Sequence, residues 1–465
     1  MSNSGAPKVN RRDALLTGMF GTGYVGLRAL ATGLPAWFIA NPRSANAQNL
    51  QCAITAQANM QYLIVSTSSN GDPFNCNCPG TYDTLAPNAI HPQQAEVAAT
   101  PVQLGTKTFT AALPWASTAS GGALAPATLA RTNFFHHLTG STVHGDQPKV
   151  MKLMGLTAQN EMLISAYAKH LSPCFGTVQN EPIAVGARGN SSELVSYSGR
   201  TLPAVSPTQL KQLLTGSKND PLVKLRSLRD MALDQLNALA KSDGTAVQKQ
   251  FLDAMALSQT QVRQLADQLS TTLASISADD TKGQALAAAA LIAAKVTPVV
   301  TLHISFGGDN HSDQNLQAEA DQHVTGAQAI QQVQDALASL SLQDKATFAT
   351  LNVFGRNLNG ISKTDSRSGR DHYGNHSVML MIGKNVAPGG TGGVVATGSS
   401  GAYAASPIDS TTGLPSASGD IAAAKTHVSA AKTLGVALGI PAGQLDADFI
   451  NNAGGKVVST AVTGV

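Results

Sequence analysis

Residues 296–305 read VTPVVTLHIS and run into Phe306, Gly307, Gly308, Asp309, Asn310 and His311. A short run rich in Val, Thr and Ile, bounded by Gly, reads as a buried strand. Three other stretches read the same way: residues 61–67 (QYLIVST), 347–354 (TFATLNVF) and 377–382 (SVMLMI). Residues 129–137 (LARTNFFHH) read as a further strand, and 182–186 as a short one. None alternates cleanly between apolar and polar, as expected of strands covered on both faces.

Helical patterns lie between these runs. One begins over residues 149–156 and resumes over 158–169; others cover 325–338 and 421–438, the last ending at Gly439. Residues 207–294 are rich in Leu, Ala, Gln and Lys. Leu222, Leu225, Leu228 and Leu233, then Val262, Leu265, Leu269 and Leu273, are set at helical spacing. Strands alternating with helices predict an α/β fold with a mostly parallel central sheet flanked by helices, and a helical insertion over about 207–294. The Pro-, Gly- and Thr-rich stretches 70–128 and 388–419 read as long loops.

The chain has 465 residues, with 31 Lys+Arg against 28 Asp+Glu. Charged residues make up 13%, and no Lys/Arg cluster stands out, which argues against a nucleic-acid binder. Lys8, Arg11, Arg12, Arg28 and Arg43 fall within residues 1–47, with Asp13 the one acid there. Without this segment the balance is 26 basic against 27 acidic residues. The pair Arg11-Arg12, a Gly-rich apolar stretch and Ala45-Asn46-Ala47 are laid out as a twin-arginine export signal with its cleavage site. Residues 48–465 would then form the mature domain, periplasmic or secreted, with no later run apolar enough to span a membrane. The cysteines fit an oxidising compartment. Cys76 and Cys78 are too close to pair easily with each other, so either is expected to pair with Cys52 or Cys174.

In open α/β sheets, sites form beyond the carboxyl ends of strands, and the polar residues gather there. The first strand leads to Ser68, Ser69, Asn70, Gly71 and Asp72; the second to Ser141, Thr142, His144 and Asp146. The strand quoted first leads to Asp309 and His311. Residues 347–354 lead to Arg356 and, a loop later, to Arg370, Asp371 and His372. Acid/imidazole pairs on glycine-flanked loops let oxygen and nitrogen ligands converge on a divalent cation such as zinc, calcium or magnesium. Arg356 and Arg370 are candidate anion forks. Thr142 or Ser141, beside His144, is the candidate nucleophile.

The motif order LIVSTSSNGD (63–72), GGDNH (307–311), FGRN (354–357), GRDH (369–372) and the closing THVSAAKTLGVALGIP (426–441) resembles an exported, sulfatase-like family of the alkaline phosphatase superfamily. The resemblance implies metal sites at strand ends. Asp309, His311 and His372, with Asp371 adjacent, would match a first metal site, and Asp72 the start of a second. The Asp-His pair of that second site would fall at Val353-Phe354, which carry neither group.

Two functions follow. One is a metal-dependent hydrolase of a small phosphate or sulfate ester, with Asp309, His311 and His372 holding the cation, Thr142 attacking and an arginine binding the anion. The other is a non-catalytic exported protein of the same fold that binds a cell-envelope component or a protein.

Overall fold

The computed structural model describes residues 59–463, except 83–89, 178, 187–194, 203, 216–225, 247, 359–368, 398–402, 451–452 and, within 250–270, all but 253 and 269. The expected export segment 1–47 and Leu222, Leu225, Val262 and Leu265 lie outside the described residues.

Eight strands form the central sheet: β1 Tyr62–Ser68, β2 Thr132–His137, β3 Ile183–Val185, β4 Ala204–Val205, β5 Val299–Leu302, β6 Ala346–Asn352, β7 Ser377–Ile382 and β8 Gly389–Thr391. Their order is β8-β2-β7-β6-β1-β5-β3-β4. The strand β7 runs antiparallel to both neighbours, and the other ladders are parallel. The fold is therefore α/β with a mostly parallel sheet, as the strand runs indicated.

All seven residues of β1 are buried, and consecutive side chains enter different cores. Tyr62 and Ile64 join Phe134, Phe348 and Leu380 on one face; Leu63 and Val65 join Phe135, Leu351 and Met379 on the other. The two-residue period of a strand sends neighbours to opposite faces, so a strand covered on both must be apolar throughout. Helices α1 Leu163–Phe175 and α6 Thr426–Ala437 cover the second face. On the first lie α4 Thr281–Ala293 and α5 Gln317–Ser339. The expected insertion contributes α2 Pro207–Thr215 and α3 Arg226–Asp243 among the described residues. Its last segment, α4, is buried almost all round and belongs to the layer covering the sheet. No helix of the described residues is long and apolar enough to cross a membrane.

Several local expectations change. The stretch 70–128 contains an antiparallel hairpin, Ala99–Leu104 with Lys107–Ala112, whose inward side chains include Val102 and Leu104. The helix expected over 149–156 is a single turn, Gln147–Met151, because Leu153 and Met154 take positive φ values of 50° and 57°, which no α-helix accommodates. Cys76 and Cys78 are buried free thiols, so neither forms the expected disulfide; Cys174 is disulfide-bonded.

Candidate metal centre

The carboxyl edge of the parallel strands carries the site. Loops after β1, β2, β5 and β6 reach it. Because β7 is reversed, the segment before it, with Arg370, Asp371 and His372, arrives at the same edge. Two glycines make the convergence possible. Gly71 has φ +61°, and a Cβ there would lie 1.9 Å from Phe354 Cε2. At Gly369 a Cβ would lie 1.6 Å from the Asn310 carbonyl oxygen, so only glycine lets the two loops touch. There the Gly369 N–H donates to His311 O at 2.9 Å and the Arg370 N–H to Asn310 O at 3.2 Å.

His144, Asp309 and His372 form a group whose ligand atoms all lie within 4.8 Å of one another and can hold a metal ion. His144 Nε2 is 3.3 Å from Asp309 Oδ2, and His372 Nε2 is 3.3 Å from Asp309 Oδ1. A tetrahedral cation with ligands at about 2.0–2.2 Å sets them roughly 3.3–3.6 Å apart; each imidazole is at that distance from one oxygen of the Asp309 carboxylate, Oδ2 for His144 and Oδ1 for His372.

The tautomers agree. His144 Nδ1 lies 2.7 Å from Ser69 O, and His372 Nδ1 lies 2.7 Å from Thr142 O. A carbonyl oxygen only accepts, so in each ring Nδ1 carries the proton. In a neutral ring, Nε2 then presents a lone pair. Metal-bound histidines are commonly oriented this way. Two lone pairs thus face a carboxylate, an array that a cation would complete.

His311 stands beside this group. Its Nε2 is 2.9 Å from His372 Nε2 and 3.2 Å from Asp309 Oδ1. Its Nδ1 faces a carboxylate instead of a carbonyl, Asp371 Oδ1 at 3.4 Å. Burial alone would raise the Asp309 carboxyl, but the hydrogen bond and charge of Arg356, with His372 and His311, bring it below its usual range. Burial lowers the His372 imidazole, against the opposing bond to Thr142, which favours the neutral ring a ligand needs.

The remaining expected site residues lie around this group in other roles. Asp72 is buried and points away from it: Oδ1 accepts the Gly308 N–H at 2.8 Å and Oδ2 lies 3.4 Å from His303 Nε2. It therefore supports the loop before Asp309. Asp371 flanks His311. Thr142 meets His372 through its carbonyl, and the Ser141 hydroxyl donates to Asp146 Oδ2 at 2.9 Å. The Ser141 hydroxyl is thus engaged with Asp146 and not free to attack. Neither arginine presents a free fork. Arg356 donates from Nε to Gly71 O (2.6 Å), from Nη1 to Arg370 O (3.3 Å), and from Nη2 to Asn70 O (2.5 Å), Gly308 O (3.3 Å) and Asp309 Oδ1 (2.7 Å). Arg370 makes a buried two-pronged pair with Glu319, Nε to Oε2 at 2.6 Å and Nη2 to Oε1 at 2.8 Å. Burial therefore turns both expected anion binders into internal struts.

The sequence gives no role to Glu319, Asn75, His136 or His376. Asn75 Oδ1 accepts the Arg356 N–H at 2.8 Å, and its Nδ2 donates to Arg356 O at 2.9 Å and toward His376 Nδ1 at 3.2 Å. His376 Nε2 and His136 Nδ1 are 3.0 Å apart, and His136 Nε2 lies 3.1 Å from Pro79 O. The acceptor at Pro79 sets every proton in this chain, and both rings are neutral. Residue type alone offered no signal for it, since the partners are far apart in sequence.

Burial lowers both imidazoles, His136 to about 4. His323 and His427 are likewise buried and pushed down to about 4. The unfolded chain binds these protons near 6.5 and the folded chain does not, so stability is retained above 6.5 and lost as pH falls toward 4. For His136 alone the loss reaches roughly 3 kcal/mol by pH 4. Unfolding midpoints measured from pH 8 to pH 4 should be level at first and drop steeply below about 6.5. A curve flat down to pH 4 would show these histidines to be charged in the fold.

The fold and this edge define the class: an α/β protein whose strand-end loops assemble a His/Asp/His cluster able to hold one cation. Residues 142–408, more than half of the chain and inclusive of the whole cluster, match the family described as Protein of unknown function (DUF1501), and the chain belongs to that family. This overturns the resemblance to a sulfatase-like family of the alkaline phosphatase superfamily. Its short motifs are glycine-flanked strand ends, which recur wherever a parallel sheet needs tight turns. No curated protein matches the chain.

Proposed function

We propose that His144, Asp309 and His372 hold one divalent cation, of zinc-like coordination, and that the protein hydrolyses a small phosphate or sulfate ester outside the cytoplasm. The observation that carries this reading is the pair of Nδ1–carbonyl contacts at 2.7 Å, which turn both imidazole lone pairs toward the Asp309 carboxylate. Three protein ligands leave a position open, the arrangement of hydrolytic zinc sites. A cation so held would polarise the ester oxygen and lower the pKa of a coordinated water toward neutrality. The commitment of the Ser141 hydroxyl to Asp146 favours water as the attacking group. The new bond joins the water oxygen to phosphorus or sulfur, and the bond to the alcohol oxygen breaks. The proton released by the water would pass to solvent, and the leaving alcohol would take one up from solvent. The twin-arginine layout of residues 1–47 supports an exported location.

A second reading, a cation-stabilised protein that binds an envelope component without catalysis, draws on the commitment of Arg356 and Arg370 to internal partners. One experiment separates the two. The metal content of the purified protein is measured, with hydrolysis of an aryl phosphate and an aryl sulfate, for the wild type and for His144→Ala and His372→Ala. The hydrolase reading expects near one equivalent of metal and activity lost by a factor of at least ~100 in either variant. Bound metal without hydrolysis favours the second reading, and absence of metal binding rejects both.

A further inference from the structure

We propose that Phe354 is the positioning residue of the cation site, the surface that sets both imidazole ligands; this rests on the cation reading given above. Phe354 is fully buried directly beneath the cluster. Its ring stacks on His372, with centroids 4.3 Å apart and planes at 27°. It meets His144 edge-on, 5.2 Å away at 65°. The Arg356 guanidinium carbon lies 5.4 Å from its centroid. The backbone of Gly71 approaches it so closely that no Cβ fits between them, so the ring has no room to retreat.

The need for such a surface follows from the hydrogen bonds. A single Nδ1–H···O contact fixes where an imidazole nitrogen sits, but leaves the ring free to turn about that axis and swing Nε2 aside. His144 and His372 each have one such contact at Nδ1, and their Nε2 atoms meet only neighbours of the cluster itself, Asp309 for both and His311 for His372. A ring face against His372 and a ring edge against His144 remove the remaining rotation. Offset-stacked and edge-on aromatic pairs supply this orientation at modest energy. Phe354 thereby does for the ligands what hydrogen-bonded outer partners do in other metal sites, while donating nothing to the cation.

The test is titration of the full chain with cobalt(II), whose visible absorption reports ligand geometry, for the wild type, Phe354→Leu and Phe354→Tyr. Loss of the aromatic face in Phe354→Leu should weaken cobalt binding about 10–100-fold and change the absorption band. Phe354→Tyr, which keeps the face, should retain the wild-type absorption band; its added buried hydroxyl makes the band, and not the stability, the quantity compared. A Phe354→Leu protein that is less stable to denaturant but binds cobalt with wild-type affinity and spectrum would overturn the proposal, because its role would be packing alone. If Phe354→Leu does not fold, Phe354→Met, of similar volume, replaces it under the same criteria. A wild-type protein that binds no cobalt would instead remove the cation reading, and the proposal with it.

Discussion

Replacing Arg356 by alanine is expected to destabilise the protein by about 3–5 kcal/mol and to abolish cation binding. The guanidinium is fully buried and reaches the loops after β1, β5 and β6 at once, through the carbonyls of Asn70, Gly71, Gly308 and Arg370 and the Asp309 carboxylate. Its removal leaves those oxygens turned into a space that water does not fill with the same geometry, and leaves Asp309 without its fixed positive partner. Arg356→Lys should recover little, since one ammonium with three donors cannot span acceptors that the planar fork reaches from three nitrogens. Urea midpoints and a cobalt titration measure the two effects. A change in stability under about 1 kcal/mol for Arg356→Ala would show that the loops hold together without it.

Glu319→Leu should cost a similar amount, for a different reason. Glu319 accepts from Asn77 at 2.6 Å, from Asn310 at 2.8 Å and from both prongs of Arg370. Its loss strands a buried guanidinium that also holds Ile90 O and Asn357 O. Removal of one partner of a buried pair typically costs about 3–5 kcal/mol, whereas removal of both is far milder. The double variant Glu319→Leu with Arg370→Met should therefore be markedly more stable than Glu319→Leu alone. Denaturant unfolding of the four proteins gives the coupling directly. A double variant as unstable as the sum of the singles would mean that the pair is not coupled, contrary to the two-pronged geometry.

The site was legible in part. Asp309, His311, Asp371 and His372 announced themselves as acid/imidazole pairs at strand ends, and His144 as an imidazole on a strand-end loop. Which of them share a cation was not legible. The sequence pattern sets His144 beside a hydroxyl and Asp72 among the ligands. In the structure His144 enters the cluster, while Asp72 faces His303. The difference lies in the direction of β7. A reversed strand brings residues 370–372 to the edge where the parallel strands end, and no local pattern in SVMLMI reveals its direction. The arginines were misjudged for a related reason. A loop Arg beside Gly looks solvated in a linear sequence, and only packing shows that Arg356 and Arg370 are covered on every side.

The amino-acid sequence by itself determined the α/β class, since a strand buried on both faces must be apolar at every position and the period between strands must be helical. It also determined which edge of the sheet would be polar, because buried strands leave their turns as the place for charged and imidazole groups. The tertiary structure alone decided which imidazoles meet, which nitrogen each presents and which charges are neutralised inside. Those outcomes depend on carbonyls such as Ser69 O and Thr142 O and on the ring of Phe354, groups whose side-chain identity carries no trace of what they will face.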